Sequence, residues 1–278
     1  MGLDFNSAKF FQSEVKKGLI LGQMLTLGRQ SIHMDRPTYQ KFLTPLGISQ
    51  QETEFADDFF RGLGAKSINV MDFSNYEGAN VLHDMNQPIG PDSREKYDCV
   101  FDGGSLEHVF NLPQALKNCM EMVKVGGYFV TIAPGNAYCG HGFYQFSPEL
   151  YYSALSTENG YSVERLLFVS HDQWYSVRRP ADVKGRVELL TDTPTMLFVS
   201  AKRIEQKPIF AVWPQQSDYS VAWTSEKKTQ KTSENGLKEY LVNLMPWIKK
   251  LQSRWRAHKA YRKCHPSNRA RFVPVNLD

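Results

Sequence analysis

The chain alternates between segments with an apolar residue every three to four positions and short runs that are almost wholly apolar. The first pattern is typical of amphipathic helices, and the second of strands buried on both faces. Seven strands are predicted, at 19–28, 67–72, 80–85, 97–101, 128–134, 161–169 and 195–203. Helices are predicted at 4–17, 37–45, 51–62, 112–127 and 147–157. Strands that alternate with helices in this way indicate a mainly parallel sheet.

This order predicts an α/β fold: a Rossmann-like, doubly wound, mostly parallel seven-stranded sheet with helices on both faces and a basic helical extension at the C-terminal end. The segment 214–235 is polar and rich in turn-forming residues, which is typical of a linker. The predicted organisation is therefore an N-terminal helix (1–18), the sheet domain (19–213), this linker, and a basic amphipathic helical tail (236–278).

The tail differs from the rest of the chain in charge. Residues 226–278 contain 13 Lys and Arg against 4 Asp and Glu, a net +9, so the other residues carry −5 of the total +4. Within 236–264, apolar residues recur at helical spacing, as in Leu244, Ile248, Leu251 and Trp255. Such a helix could lie on an anionic membrane, bind nucleic-acid phosphates, or pack on the main domain or a sister subunit in a homo-oligomer. Peripheral membrane contact ranks above nucleic acid because the main domain is acidic.

The cysteines and the hydropathy of the chain indicate its cellular compartment and whether it binds a metal. The four cysteines lack Cys-x-x-Cys spacing, so neither a disulfide framework nor a structural zinc site is expected. Cys139 and His141 lie close together, but two such neighbours rarely complete a tetrahedral site, and no metal site is predicted. There is no apolar run of membrane-spanning length and no signal-peptide core at the N-terminus. We expect a cytoplasmic protein that associates with membranes, if at all, through the tail.

Several small or acidic residues follow the predicted strands, where doubly wound sheets bind ligands. They are Gly28, Asp72, Asp84 and Asp102, with Gly103 and Gly104 directly after the last. A carboxylate after the second strand can accept hydrogen bonds from both ribose hydroxyls, and Asp84 could accept one from an adenine amino group. Two glycines allow the backbone to approach a ligand closely. Taken singly, each aspartate is equally typical of a solvated loop end.

The segment YDCVFDGGSLEHVFNLPQALKNCMEMVKVGGYFVTIAP (97–134) resembles the class I S-adenosylmethionine-dependent methyltransferases. It is similar to that family's succession of strand, Leu-Glu-His-Val, helix, Lys-x-Gly-Gly, strand and Pro, and the same order extends over about residues 19–205. The resemblance implies S-adenosyl-L-methionine as cofactor. It further implies that Asp72 holds the ribose, that Asp84 and Met85 hold the adenine, and that Asp102, Gly103 and Gly104 line the methionine end of the pocket, with His108 just behind.

One part of the family pattern is missing. The family has a Gly-x-Gly-x-Gly turn after the first strand, whereas this chain has Leu27-Gly28-Arg29-Gln30 with a single glycine. The 44 positions from Gly28 to Asp72 are more than a simple strand-helix-strand unit needs, which predicts an extra helix. We expect Arg29 or Gln30 to take over the contact with the cofactor carboxylate. The missing turn also keeps open a domain that has the fold without the activity.

Acceptor chemistry is predicted in the loop GNAYCGHGFYQFSPE (135–149). His141 is the candidate general base, because imidazole titrates near neutral pH. Tyr138 and Tyr144 are candidate acceptor contacts, since aromatic rings beside a polar base suit a small organic or sugar acceptor, and His171 could orient the substrate. The alternative is a loop histidine bonded to backbone, with the aromatic residues packed beneath it.

These observations predict a methyltransferase that transfers a methyl group from S-adenosyl-L-methionine to a small molecule or glycan precursor, at oxygen. Two alternatives remain. One is a nucleic-acid or protein methyltransferase that docks through the basic tail, and the other is a degenerate, non-catalytic Rossmann-like module.

Overall fold

The computed structural model describes residues 2–49, 53–183, 185–219 and 246–277. The strands are β1 (Gly2–Leu3), β2 (Gly22–Leu27), β3 (Ser31–Ile32), β4 (Ala65–Asp72), β5 (Val81–Leu82), β6 (Tyr97–Asp102), β7 (Val123–Asn136), β8 (Tyr161–Ser170), β9 (Gln173–Val177), β10 (Thr195–Arg203) and β11 (Phe272–Val275). The helices are α1 (Phe5–Lys16), α2 (Arg36–Leu43), α3 (Asp57–Gly62), α4 (Leu112–Met122), α5 (Pro148–Ala154) and α6 (Pro246–Cys264).

The main sheet has the order β11-β9-β8-β10-β7-β6-β2-β4-β5. Its second half, β7-β6-β2-β4-β5, is parallel throughout. In chain order these strands run fifth, fourth, first, second and third, which is the doubly wound order with its switch point between β2 and β6. The α/β, doubly wound prediction is therefore confirmed.

The prediction of seven strands is corrected, because the main sheet has nine strands in mixed orientation within the described residues. All seven predicted strands are present, but β8 continues into a hairpin with β9, and β11 pairs antiparallel with β9. β11 lies within the segment that was predicted to be a helical tail. Its Phe272 is buried and meets the ring of Phe168 with 5.4 Å between centroids, which anchors this edge strand in the core. Pro274 obscured the strand in the sequence, since proline is tolerated only at sheet edges.

Helices cover both faces of the sheet. On one face, α1, α2 and α3 pack over Met24, Phe101 and Val130 of the strands, and on the other α4 and α5 pack over Leu25, Val100 and Phe129. Successive residues of these strands thus face two different cores on opposite sides of the sheet, which explains why the strand sequences are continuously apolar. α1 begins at an Asp4 cap, whose carboxylate accepts a hydrogen bond from the Ser7 N–H at 2.7 Å.

α6 lies within the predicted basic tail, and the described side chains from Lys250 to Lys263 are exposed. Leu251 and Trp255 of its apolar stripe are 54% and 63% exposed, so these two do not pack on the main domain as one interpretation expected. The end of the helix is tied to the domain, since the Leu190 N–H donates to the Cys264 carbonyl at 2.9 Å. No helix in the described part of the chain has an apolar stretch long enough to cross a bilayer. Residues 220–245, with most of the predicted linker, lie outside the described residues.

Candidate functional site

A cavity of about 270 Å³ opens at the carboxyl ends of β2, β4 and β6, beside the switch point of the sheet. It is lined by Leu27, Gly28, Met71, Asp72, Phe73, His83, Asp84, Met85, Asn86, Ser105, His108 and Val109. Four of the residues predicted to bind a cofactor therefore share one cavity, namely Gly28, Asp72, Asp84 and Met85. Among the described residues that line it there is no lysine or arginine.

Gly28 and Asp72 form one wall of the cavity. Gly28 has φ +67°, a left-handed conformation that favours glycine, and its N–H donates to the Met71 carbonyl at 2.8 Å. A Cβ at Gly28 would have only Ser105 Oγ and Asp72 Oδ2 nearby, at 3.8 and 3.9 Å. The Oδ1 atom of Asp72 accepts the Phe73 N–H at 2.6 Å. The arrangement leaves open space between the glycine backbone and an aspartate oxygen.

The loop that follows β5 forms another part of the cavity lining, and it adjoins Asp72 because the His83 N–H donates to the Asp72 carbonyl at 2.9 Å. Asp84 Oδ1 accepts hydrogen bonds from the Asn86 backbone N–H at 2.9 Å and from its side-chain amide at 2.8 Å. These bonds lower the pKa of Asp84, so the carboxylate is ionised at neutral pH. Asn118 of α4 holds the loop from below, since its Nδ2 donates to the Gln87 carbonyl at 2.7 Å and its Oδ1 accepts the Ile89 N–H at 3.2 Å.

Asn118 was missed by the sequence analysis. It lies on the buried face of an amphipathic helix, and a buried asparagine on that face was the one signal that could have indicated it.

Arg29 and Gln30, one of which was predicted to contact a cofactor carboxylate, do not line the cavity. The Arg29 guanidinium pairs with Asp57 at 2.8 Å and lies 4.1 Å from the ring centre of Phe55. Gln30 is buried, and its Nε2 donates to the Leu27 and Gly28 carbonyls, each at 3.2 Å. The long segment between β2 and β4 does contain extra helices, and it supplies these partners of Arg29.

Asp102 does not line the cavity either, because its side chain, at the end of β6, is completely buried. Its Oδ1 accepts the N–H groups of Gly104, Ser105 and Leu106 at 3.2, 2.7 and 3.3 Å, and its Oδ2 accepts the Thr131 hydroxyl at 2.7 Å. Burial raises the pKa of Asp102, although these four donors act in the opposite direction. The expectation that Asp102 lines the pocket is wrong: it shapes the turn that presents Ser105 to the cavity.

The two glycines after Asp102 serve packing and turn geometry. A Cβ on Gly103 would collide with the Gln30 side chain, and Gly104 has φ +95°. Neither lines the cavity, in contrast to the prediction. Ser105 does, and its hydroxyl donates to the Leu27 carbonyl at 3.0 Å, which joins the ends of β2 and β6.

The loop after β7 folds back over the short helical turn that follows β6. The Phe143 and Tyr144 N–H groups both donate to the Glu107 carbonyl, at 2.8 and 3.3 Å. A Cβ on Gly142 would lie 2.8 Å from that same carbonyl oxygen, so the close approach requires glycine. This packing brings His141 against Glu107 and His108, residues more than thirty positions earlier in the chain.

Glu107, His108 and His141 form a group that we call the Glu–His cluster. The Glu107 Oε1 lies 3.7 Å from His141 Nε2 and 4.0 Å from His108 Nε2. Burial, and then the nearby charge of Asp102, raises the pKa of Glu107 to about 8. Burial, and then repulsion from His141, lowers the pKa of His108. Because His108 also lines the cavity, the cluster adjoins the predicted cofactor site.

The predicted acceptor residues are divided between two places. The Tyr138 ring packs edge-on against His141 with 5.5 Å between centroids, and the Tyr144 hydroxyl donates to the Phe110 carbonyl at 2.7 Å. His171 lies elsewhere, in the turn between β8 and β9, where its Nε2 is 3.9 Å from Asp192. His171 is therefore not brought to the Glu–His cluster by any contact in the described part of the chain.

No family model matches this chain, and no curated protein matches it. Among solved structures, it is similar to an S-adenosylmethionine dependent methyltransferase from Mesorhizobium loti, at 13% identity over 70% of this chain and 98% of the other, with a TM-score of 0.40. It is also similar to the N-methyltransferase NodS from Bradyrhizobium japonicum WM9, at 13% identity over 71% and 93% of the two chains, with a TM-score of 0.40. Similarities of this size do not assign an activity to the chain.

Proposed function

We propose that this protein is a methyltransferase that binds S-adenosyl-L-methionine in the cavity at the ends of β2, β4 and β6. The single observation that carries the proposal is that Asp72 and Asp84 both line a cavity whose described lining has no basic side chain. A dinucleotide brings a pyrophosphate that would need backbone or cationic neutralisation. An adenosyl sulfonium instead brings hydroxyls, an amino group and a positive charge, all of which favour carboxylate partners.

Different residues of the cavity lining contact the ribose and the adenine of the cofactor. Asp72 accepts hydrogen bonds from the ribose hydroxyls through the oxygen that faces Gly28, while its other oxygen is held by the Phe73 N–H. Asp84 accepts a hydrogen bond from the adenine amino group, and Met85 packs on the ring. Because Asn118 and Asn86 hold the loop that carries Asp84, its carboxylate is positioned before the ligand arrives, which reduces the ordering cost of binding.

The proposed acceptor is a hydroxyl group of a small molecule or glycan precursor, bound between the cavity and the loop that carries His141. Phe110 and Phe143 are exposed beside this loop, with their rings edge-on at 5.6 Å, and offer flat apolar surface to a sugar or aromatic ring. Methyl transfer breaks the carbon–sulfur bond, whose electron pair stays on sulfur, and forms the oxygen–carbon bond. His141 accepts the proton that the acceptor oxygen loses.

The test is a calorimetric titration of the purified protein with S-adenosylmethionine and with S-adenosylhomocysteine. We expect micromolar binding that Asp72→Ala weakens at least tenfold, about 1.4 kcal/mol, because a charge-assisted hydrogen-bond acceptor is lost. Asp92→Ala is the matched control, since Asp92 is exposed on a turn away from the cavity lining and its loss should leave the affinity unchanged. Absence of binding to the folded wild type would contradict the proposal and favour a non-catalytic module.

The basic helix α6 supports a peripheral contact with an anionic membrane as part of the same proposal. Leu251 and Trp255 are exposed on one side of the helix, and Lys259 lies 5.1 Å from the Trp255 ring centre. Exposed tryptophan among basic residues is typical of helices that lie in the headgroup region.

This contact is tested by co-sedimentation with vesicles of neutral lipid or of neutral lipid with phosphatidylserine. We expect binding only to the anionic vesicles, weakened severalfold by Trp255→Ala and unchanged by the control Trp213→Ala, since Trp213 is equally exposed and lies outside α6. Binding to an oligonucleotide with steep salt dependence, and none to vesicles, would favour a nucleic-acid methyltransferase instead.

A further inference from the structure

The Glu–His cluster contains an unpaired buried carboxylate. The Glu107 side chain is 0% exposed, and neither of its oxygens has a hydrogen-bond partner among the described residues. Leaving a buried acid without donors is costly, and buried polar groups are nearly always paired. Other buried acids of this chain follow that rule, since Asp102 accepts four hydrogen bonds and Glu14 pairs with Arg165 at 2.7 Å.

The groups that face Glu107 are two imidazoles. The candidate ligand atoms of Glu107, His108 and His141 all lie within 4.8 Å of one another. The two histidine rings are 5.3 Å apart between centroids and inclined by 54°, so they converge on the carboxylate instead of stacking on each other. A buried carboxylate with two convergent imidazoles is the donor set of many divalent metal sites.

We propose that the Glu–His cluster binds a divalent transition-metal cation through the Glu107 carboxylate and the Nε2 atoms of His108 and His141. Bonds of about 2.0–2.2 Å to nitrogen and oxygen bring neighbouring ligand atoms to roughly 3 Å from one another. The distances of 3.7 and 4.0 Å must therefore shorten by less than about an ångström, on the same estimate. The His108 and His141 side chains are 46% and 42% exposed, which leaves their rings room to turn toward a cation.

The chain provides both rigid and adjustable parts for this site. Glu107 is held by its backbone, because its carbonyl accepts the N–H groups of Phe143 and Tyr144. The same two bonds fix the loop that carries His141, and the Tyr138 ring supports the imidazole from the side. Three protein ligands would leave further coordination positions open, and the two histidines that supply two of these ligands are partly exposed.

The location gives the cation a role, and this part of the inference rests on the proposed methyl transfer. His108 belongs to both the cavity and the cluster, so an acceptor hydroxyl bound by the cation would lie at the cavity mouth. A cation lowers the pKa of a hydroxyl that it binds, and the proton is lost to water near neutral pH. In that case His141 is a ligand and does not act as the proton acceptor.

The test is direct and needs no turnover. Protein treated with a chelator and desalted is titrated calorimetrically with Zn²⁺ and with Mn²⁺, and Co²⁺ is added to follow its visible absorption. We expect one cation per chain with at least one of these metals, at micromolar affinity or better. Glu107→Gln and His141→Ala should each weaken that binding at least tenfold, because each removes one of three ligands.

Two matched controls separate this site from surface histidines. His258→Ala removes an exposed histidine of α6, and His171→Ala removes the histidine beside Asp192 and His265. Both should bind the cation as tightly as the wild type does. Thermal unfolding of every variant verifies that it is folded, and Glu107→Gln preserves the shape of the side chain.

The outcomes distinguish this inference from the proposed function. Binding of S-adenosylmethionine without any cation binding, or cation binding that Glu107→Gln and His141→Ala leave unchanged, overturns the metal site and leaves the methyltransferase proposal intact. Cation binding that depends on Glu107 and His141, in a protein that does not bind S-adenosylmethionine, supports the metal site and contradicts the methyltransferase proposal.

Discussion

Two carboxylates that lie five positions apart, Asp102 and Glu107, are both completely buried but have opposite surroundings. Asp102 accepts hydrogen bonds from three backbone N–H groups and from Thr131, and thereby organises the turn between β6 and α4. Glu107 accepts no hydrogen bond from the described residues through its carboxylate, and it faces two imidazoles. Burial alone therefore does not mark a functional acid. Asp102, with four donors, shapes a turn, whereas Glu107, which faces two imidazoles, is the proposed cation ligand.

Of the substitutions that distinguish the two carboxylates, Asp102→Ala is expected to lower the stability of the fold the most. The substitution leaves the three N–H groups and the Thr131 hydroxyl without their acceptor inside the core, and it also creates a cavity. We expect the free energy of unfolding to fall by about 3 kcal/mol or more, measured by urea denaturation. Thr131→Val, which removes one donor at nearly constant volume, should cost about 1 kcal/mol.

Asp92→Ala provides the baseline for these measurements, since an exposed turn residue should change stability by less than about 0.5 kcal/mol. If Asp102→Ala lowered the free energy of unfolding no more than Asp92→Ala does, the hydrogen bonds to Asp102 would not stabilise the fold, and the contrast with Glu107 would be contradicted.

A smaller change in stability, which depends on pH, is expected from Glu107→Gln. The fold raises the pKa of this group to about 8, whereas in the unfolded chain it titrates near 4.5. Between these values the folded protein holds a proton that the unfolded chain has lost, so stability decreases as pH rises from about 5 to about 8. Glu107→Gln abolishes this loss, and at pH 8 in chelator the variant should be the more stable protein by about 1.4 kcal/mol or more, the equivalent of one pKa unit.

The measurement is the unfolding free energy at pH 5, 6.5 and 8 for the wild type, for Glu107→Gln and for the control Glu158→Gln. Glu158 is exposed, and its substitution should leave the pH profile of the wild type unchanged. If the unfolding free energy of Glu107→Gln depended on pH in the same way as that of the wild type, the fold would not disfavour the ionised form of Glu107. That result would contradict the contrast drawn with Asp102.

The strand ends show how far the sequence could predict the site. Gly28, Asp72, Asp84 and Met85 share a cavity as predicted, because strands of a parallel sheet end at one edge and their order follows from the alternation of strands and helices. Their proposed contacts with a cofactor stay predictions. Asp102 was predicted for the same reason, but in the sheet register it lies level with Leu27 and Met71, one position short of Asp72, and its side chain is buried in the core.

Arg29 and β11 show where local patterns were insufficient. Nothing near Arg29 in the sequence indicates that Asp57 and Phe55 would take its guanidinium, since these partners lie more than twenty positions away. β11 has only four residues with a proline among them, and it is a strand because β9 offers an open edge and Phe168 a partner for Phe272.

The class of fold and the edge of the sheet that carries the cavity can be read from the sequence alone, because both follow from the period and order of apolar segments along the chain. Which side chains meet at that edge depends on the packing of the loops. His141 joins Glu107 and His108 through two backbone hydrogen bonds and a close approach at Gly142, and no periodicity encodes a contact between residues 34 positions apart. Pairing of buried charges is a property of the packed chain, since the burial and the partners exist only after the loops have closed over the sheet.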